Sequence, residues 1–523
     1  MKYKRFFVIM LLMILLQSIS VLLPALFLLA WQQQNQILSQ KRIMLLVAII
    51  SGSTMLTIGL TFFREHYAKS FNERNFRSML DNALNMDYDT IITMGPANIL
   101  ERISDSVNKI YSYMTGDCID IWANIITILA CLILTASVTP WIATLLLIMV
   151  PVNYWGYRML NKELTTRSKE LSEQTSQGFQ EILSCMQQVD YMKQTADHSR
   201  ILCMLSPSIE KLYKSMARIN VYAQSASAGL RGLNDVVRIF ILMTIVYRFF
   251  SNNSGPYTLI MTSVILPLYF SKMGAIVGAK LNQTGFKVAS NYQKELLLHK
   301  EANGTILLSE ISSVCFDVGT LFVQGKTIPF DAHCSLKKGD IVQVCGPSGC
   351  GKSTFVKALL KFRPIDGVTY NDIPIAEIDN RTLRQRVEYL SQNVPIIQGT
   401  LRDNLFLNTV PTKEMETRLL HEPMLQSIFA TKSFDSKILE AGANLSGGEK
   451  QKIALARALF SNANVLILDE VCSNIDKETA NAIYECLQRE RSKRITIIIS
   501  HEQIPEGLVN VKINESRYQP EPI

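Results

Sequence analysis

The sequence predicts a membrane α-helical bundle of six transmembrane helices with cytoplasmic stalks, followed by an α/β phosphate-loop (P-loop) domain. Three observations carry that expectation. The long apolar runs lie before about residue 280. Short turns separate some of these runs, and long polar, helix-prone links separate the others. Beyond them, a β-rich run at Ile341–Val344 leads into a glycine-rich loop that ends in a lysine and two hydroxyl residues.

Length and composition agree with two unlike halves. A single hydrophobic core rarely grows past ~250–300 residues, so a chain of 523 must hold at least two domains. Hydrophobic residues make up 48% and charged residues only 19%, below the ~25% charge of an ordinary soluble chain. The mean hydropathy of +0.14 averages an apolar first half with a charged second half. The net charge of +8 suits the excess Lys and Arg of cytoplasmic loops in membrane proteins. No basic stripe with interleaved aromatics is present, which excludes nucleic acid as an expected partner. The 10 cysteines are scattered and form no CxxC pair, so neither a zinc site nor a redox motif is indicated.

Each span is justified by its apolar length, a spanning helix needing ~20 residues. The expected spans are Phe6–Ala30, Ile43–Phe63, Ile119–Val138, Trp141–Trp155, Val236–Phe250 and Tyr257–Ala279. The first is too long for a signal-peptide core and is expected to stay as a transmembrane helix. Thr139-Pro140 splits the third from the fourth, and Ser251–Pro256 is strong loop chemistry between the last two. The links Arg64–Gly116 and Gly156–Leu233 are long and charged, which places them, and both termini, on the cytoplasmic side. Asp120, Asp235, Arg238, Arg248, Lys272 and Lys280 fall in or near spans. Asp235 and Arg238 share a helix face and are expected to pair. Arg248 and Lys280 are expected to snorkel to the interface, while Arg238 and Lys272 either snorkel or line a cavity.

In the second half, Gly346-Pro347-Ser348-Gly349-Cys350-Gly351-Lys352-Ser353-Thr354 fits the G-x-x-x-x-G-K-[S/T] phosphate loop on a strand–loop–helix background. Its glycines let backbone N–H groups converge on phosphates, and the helix start adds a favourable dipole. Lys352 is expected to neutralise the outer phosphates and Ser353 to give Mg²⁺ an oxygen. Val465–Leu468 is an apolar run that ends in Asp469 and Glu470, as a buried parallel strand with carboxylates at its carboxyl edge should. Asp469 would orient the Mg²⁺ shell, and Glu470 would act as general base on the attacking water. Leu445-Ser446-Gly447-Gly448-Glu449 opens a helical stretch through Leu459 and makes a second anion site. One cassette has no need of two phosphate sites; two cassettes facing head to tail do.

These motifs, in this order, resemble the ATP-binding cassette (ABC) transporters of the exporter type in their half-transporter form, over nearly the whole chain. The resemblance implies an α/β P-loop ATPase cassette with a helical subdomain, with domain limits of 1–290 for the transmembrane domain, 291–305 for a linker and 306–523 for the cassette. The phosphate loop matches the family's Walker A, Asp469 and Glu470 its Walker B, and Leu445–Glu449 its signature. Tyr389-Leu390-Ser391-Gln392 through Asn404 resembles the Q-loop, which implies that Gln392 touches Mg²⁺ and the attacking water. Ser473–Asp476 resembles the D-loop, with Asp476 in the nucleotide site, and His501 fits the switch histidine. Asp87–Asp89 with Gly95–Arg102 and Asp105 resembles a first coupling region, and Gln188–Asp197 a second. ATP and Mg²⁺ are thus implied, with a second half-transporter as partner and a bacterial cytoplasmic membrane as location. The cargo implied is a peptide; a multidrug or lipid cargo, or a low-turnover regulatory half, is the alternative. Two departures stand out. Val318 occupies the place where exporters carry an adenine-stacking Tyr, leaving Phe316 or Phe322 to substitute. Glu449 stands where Gln is commoner, a change expected to matter little.

Overall fold

Apolar periodicity becomes long helices in the first half. The computed structural model describes the chain apart from residues 1, 35–39, 187–188, 195–198, 252–255, 324, 348, 392–393, 408, 471–476, 501–508, 510 and 515–523. Helices α1 (Lys2–Gln34), α2 (Gln40–Leu84), α3 (Tyr88–Met94), α4 (Pro96–Ser112), α5 (Cys118–Val138), α6 (Pro140–Met186), α7 (Val189–Gln194), α8 (Ser199–Phe250) and α9 (Pro256–Leu298) follow one another. Each expected span falls inside one long helix, and α2, α6 and α8 run well past their apolar stretches into the polar links. Among the described residues, four helical stretches are long and apolar enough to cross a membrane: Arg5–Phe27, Ile43–Leu84, Pro96–Val138 and Tyr257–Leu298. The apolar parts of α6 and α8 are shorter and are broken by Asn153, Asn234, Asp235 and Arg238.

The apolar surface divides as a bilayer requires. Leu22, Ile128, Leu134, Leu146, Ile241, Ile265 and Tyr269 pack α1, α5, α6, α8 and α9 into one core, while Met44, Leu45, Met55 and Phe62 of α2 stay exposed. Residues that meet lipid gain nothing from mutual burial, because the tails are as apolar as they are. Two sets of polar groups inside this core are paired. Tyr269 donates its hydroxyl to the Leu146 carbonyl at 2.8 Å, and Asn153 and Asn234 exchange two amide hydrogen bonds of 3.0 and 2.9 Å. The amphipathic helix α4 buries Ile99, Ile103, Val107 and Ile110, a spacing of three to four. Part of that face joins Met79 and Ala83 of α2 and Tyr292 and Leu296 of α9 in a second cluster.

The chain divides into two compact units: residues 1–86 with 91–300, and Asp87–Thr90 with Glu301–Ile523. The second unit runs β1 (Ser313–Val323), β2 (Lys326–Lys337), β3 (Ile341–Cys345), α10 (Lys352–Leu359), β4 (Val368–Tyr370), β5 (Ile373–Pro374), α11 (Asn380–Arg386), β6 (Val387–Leu390), β7 (Gly399–Thr400), α12 (Leu401–Leu405), α13 (Lys413–Leu420), α14 (Gln426–Phe429), β8 (Lys437–Ile438), α15 (Gly447–Leu459), β9 (Val465–Asp469), α16 (Lys477–Glu490), β10 (Ile495–Ile499) and β11 (Val511–Asn514). A five-stranded sheet has the order β11-β3-β10-β9-β6, and its described pairings are parallel. Every residue of β9 and β10 is buried, and all but Asp469 and Thr496 are apolar, as strands covered on both faces require. A second, antiparallel sheet has the order β2-β1-β4-β5. Helices α12 to α15 pack on the other side of the parallel sheet around Leu401, Leu425, Ile453 and Leu468.

The core between the two sheets anchors the helix after the phosphate loop. Phe355 of α10 stacks on Phe330 at 4.8 Å and meets Phe316 edge-on at 5.3 Å. Gly367 closes the turn into β4 at φ +78°, with an added Cβ falling 1.9 Å from the Asp317 carbonyl oxygen. Only glycine fits there. Phe355→Ala should cost about 3–5 kcal/mol of cassette stability, read as a lowered unfolding midpoint of the second unit.

Candidate functional site

Parallel strands bring their carboxyl ends to one edge, and three motifs end there. Val344 of β3 is level with Ile499 of β10, and Ile499 is level with Asp469 of β9. The phosphate loop follows β3, the acidic pair closes β9, and residue 500 follows β10. Residues far apart in sequence thus meet because their strands are neighbours in one register.

The phosphate loop takes the backbone form its glycines permit. Gly349 and Gly351 have φ of +86° and +106°, left-handed values that other residues rarely adopt. Gly351 caps α10, and a Cβ there would press on Leu321 at 3.3 Å. Lys352 is 7% exposed, and its ammonium donates to the carbonyls of Gly346 and Pro347 at 2.8 and 2.9 Å. Thr354 accepts from the Arg363 guanidinium at 3.5 Å.

Asp469 is 5% exposed. Burial raises its carboxyl above the usual carboxylate range, against the hydroxyls of Tyr389 and Ser353, which donate to it and favour its charged form. The Tyr389 contact spans β6 to β9 at 3.2 Å. Next to it, Glu470 has φ +52°, a left-handed value costly for a residue with a Cβ. Its N–H donates to the Ile499 carbonyl at 2.9 Å, which ties the strained turn to β10. Lys352, Ser353, Asp469 and Glu470 are therefore brought together. Ser348, Gln392, Asp476 and His501 lie outside the described residues.

The segment expected to make a second anion site, Leu445–Glu449, starts α15 on the same unit. Ser446 caps α15 in a capping box with Glu449: the Glu449 N–H donates to the Ser446 hydroxyl oxygen at 3.2 Å, and the Ser446 N–H donates to the carboxylate at 2.8 Å. Leu445 is buried beneath, whereas Gly447 and Gly448 are exposed, with nothing within 4 Å of an added Cβ. Lys432 donates to the Glu449 carboxylate at 2.6 Å. That partner has no sequence signal, since Lys432 lies 17 residues upstream.

Two other expectations meet the structure differently. Phe316 is 1% exposed and packed into the core, so it has no free face for a base. Val318 is buried too, and Phe322 keeps a half-buried face. Of the expected first coupling region, Asp87–Asp89 belong to the same compact unit as the phosphate loop, whereas Gly95–Arg102 and Asp105 belong to the first unit. Tyr88 stacks on Phe362 at 5.3 Å and 9°, and Asp89 pairs with Arg363 at 2.7 Å. Of the expected second coupling region, Val189–Gln194 is the short helix α7, and Gln188 and residues 195–197 lie outside the described residues.

In the first unit, a cavity of about 460 Å³ is lined in part by Asn153, Arg231, Asn234, Asp235, Arg238 and Ser271. Arg238 pairs with Asp235 at 3.0 Å, the pairing their spacing predicts. Arg238 therefore lines a cavity; Arg248 instead lies over the Trp141 ring at 5.1 Å.

Comparison with known proteins agrees with both halves. Residues 6–227 match the family described as ABC transporter transmembrane region, and residues 330–473 match ABC transporter. The chain is 35% identical over 187 residues to the sublancin-168-processing and transport ATP-binding protein of Bacillus subtilis, a match over 35% of this chain and 26% of that protein. It is 27% identical over 381 residues to ATP-dependent lipid A-core flippase 2 of Colwellia psychrerythraea, covering 69% of this chain and 64% of that one. In both cases it spans less than two thirds of the relative's length. A solved structure of a bacterial Atm1-family ABC exporter with ATP bound superposes at a TM-score of 0.82 over 95% of this chain and 91% of that one, at 16% identity, and shares its fold.

The raised Asp469 carboxyl has a measurable consequence. A carboxyl that holds its proton more tightly in the folded chain costs stability above its folded pKa, and that cost disappears below the ordinary carboxylate range. Asp469→Asn should therefore raise the nucleotide-free stability by about 1–2 kcal/mol at neutral pH. The gain should shrink as pH falls toward 4; unfolding midpoints of both forms across pH check this.

Proposed function

From the premise that this chain belongs to the ABC transporter family, with transmembrane region and ATP-binding domain fused in that order, we propose that it is one half of a dimeric exporter driven by ATP hydrolysis. The observation that carries this reading is the split between two phosphate-binding elements on one unit. Lys352, Ser353, Asp469 and Glu470 converge at the carboxyl edge of the parallel sheet, while the glycines that start α15 are exposed, with nothing within 4 Å of an added Cβ. A second copy or a matching half, turned head to tail, completes both sites.

In this reading residues 1–290 form the transmembrane domain, 291–305 the linker and 306–523 the cassette. The loop from Gly346 to Gly351 cradles the ATP phosphates with its backbone N–H groups, and Lys352 leaves its carbonyl partners to neutralise the outer phosphates. The donor set suits Mg²⁺, a hard cation that takes oxygen ligands. The Ser353 hydroxyl and the Asp469 carboxylate already touch, and with Gln392 they would hold the ion beside the phosphates. Bound there, Mg²⁺ neutralises charge that develops on the transferred phosphoryl group. Tyr389 keeps Asp469 oriented. Glu470, held by the Ile499 carbonyl, accepts a proton from the attacking water. His501 senses the γ-phosphate, Asp476 faces the partner's site, and Ser446 with Gly447 and Gly448 closes on the partner's nucleotide. Closure drives alternating access in the transmembrane domain of a bacterial cytoplasmic membrane.

The cargo we propose is a peptide. Support comes from the relative that processes and transports sublancin-168 and from the cavity, whose amides, hydroxyls and paired charges suit a peptide backbone better than an acyl chain. Relatives described as lipid A-core flippases match as well, and a lipid cargo is the second reading.

Glu470→Gln should lower ATP turnover of the reconstituted chain at least ~100-fold while ATP binding persists. Turnover left intact in that variant would refute the assignment of Glu470. A wild-type chain that folds well and binds ATP but does not hydrolyse it would identify the partner as a different half-transporter.

A further inference from the structure

The start of α15 presents a conflict. Its exposed glycines and unpaired N–H groups suit an approaching phosphate, yet its third residue is Glu449, a fixed negative charge in the same turn. A carboxylate there is good for the helix, since it satisfies the Ser446 N–H at 2.8 Å and complements the dipole. It is bad for a second anion, because like charges repel and the helix end has already been partly neutralised.

The fold resolves the conflict from outside the helix. Lys432 follows α14, and its own N–H donates to the Ile428 carbonyl at 2.9 Å. Its ammonium reaches the other carboxylate oxygen at 2.6 Å. The side chains are only 20% and 23% exposed, so water screens this pair less than an open surface pair. The ammonium, with the capping bond to Ser446, holds the Glu449 carboxyl below the usual carboxylate range. The Ser446 oxygen accepts from the Glu449 N–H, which leaves its own hydrogen to donate toward a phosphate.

We propose that Lys432 is a positioning residue for ATP turnover: it cancels the charge of Glu449 so that Ser446, Gly447 and Gly448 can receive the γ-phosphate of the nucleotide bound by the opposing cassette. This rests on the reading of α15 as the site that acts across the dimer. Removing the ammonium leaves a bare carboxylate facing the incoming phosphate, which weakens ATP-dependent closure without touching the hydrolytic edge of the sheet.

The test is a double-mutant cycle on the full chain in lipid nanodiscs, with ATP as the probe and KM and kcat read separately. Lys432→Met should raise KM for ATP about tenfold, with kcat at saturating ATP changed less than about twofold and the nucleotide-free unfolding midpoint little moved. Lys432→Arg should keep KM near wild type. In the E449Q background, where there is no charge to cancel, the same Lys432→Met change should raise KM less than about twofold. An unchanged KM in Lys432→Met overturns the proposal, as does an equal rise in both backgrounds, which would mean that Lys432 acts by packing alone. Ser446→Ala separates the two layers. If it leaves KM and kcat intact, the reading of α15 falls and this proposal with it. If it impairs turnover while Lys432→Met does not, only the role of Lys432 falls.

Discussion

Three parallel strands in one register govern the placement of charge in this protein. Val344, Ile499 and Asp469 stand side by side in β3, β10 and β9, and the last two strands are buried throughout. Apolar strands of this kind accept charged groups only where they end. The phosphate loop, the acidic pair and Ser500 after β10 are therefore driven to the same edge by the burial of the residues before them. The local costs follow from this crowding: a carboxyl deprived of water at Asp469, a left-handed backbone at Glu470 and a buried charge at Lys352, offset by two carbonyls. Each is unfavourable alone, and each places a group where ATP chemistry needs it.

The first unit obeys the opposite solvent rule. Its exposed face on α2 carries large apolar residues, and several polar groups between its helices are paired or border a cavity. The exchange of amide bonds between Asn153 and Asn234 joins α6 to α8 at a point where unpaired amides would be costly. The charges of Asp235 and Arg238 border the same cavity, which is the usual reason for a helix to carry ions at membrane depth.

The helix start at Ser446 shows how one substitution within a motif redistributes work. A glutamate at the third position strengthens the cap, and it also adds charge where an anion is to dock. The remedy comes from a lysine in another element. A change that looks conservative in a string of letters thus alters the electrostatics of the site and creates a dependence on Lys432.

The sequence by itself determined what is local. Apolar length marked the helices, an apolar run marked β9, and the glycines among Gly346–Gly351 marked a phosphate loop. The motifs Gly346–Thr354, Leu445–Glu449 and Asp469–Glu470 were legible because each is contiguous and its chemistry follows from neighbours in the chain. The tertiary structure decided what depends on distance in sequence. It withdrew Phe316 as a base-stacking candidate, because that side chain is needed against Phe355 in the core. It supplied Tyr389 to Asp469, Arg363 to Asp89 and Lys432 to Glu449. No periodicity encodes such pairs: they arise when separate elements pack, and only the packed core sets which side chains face one another.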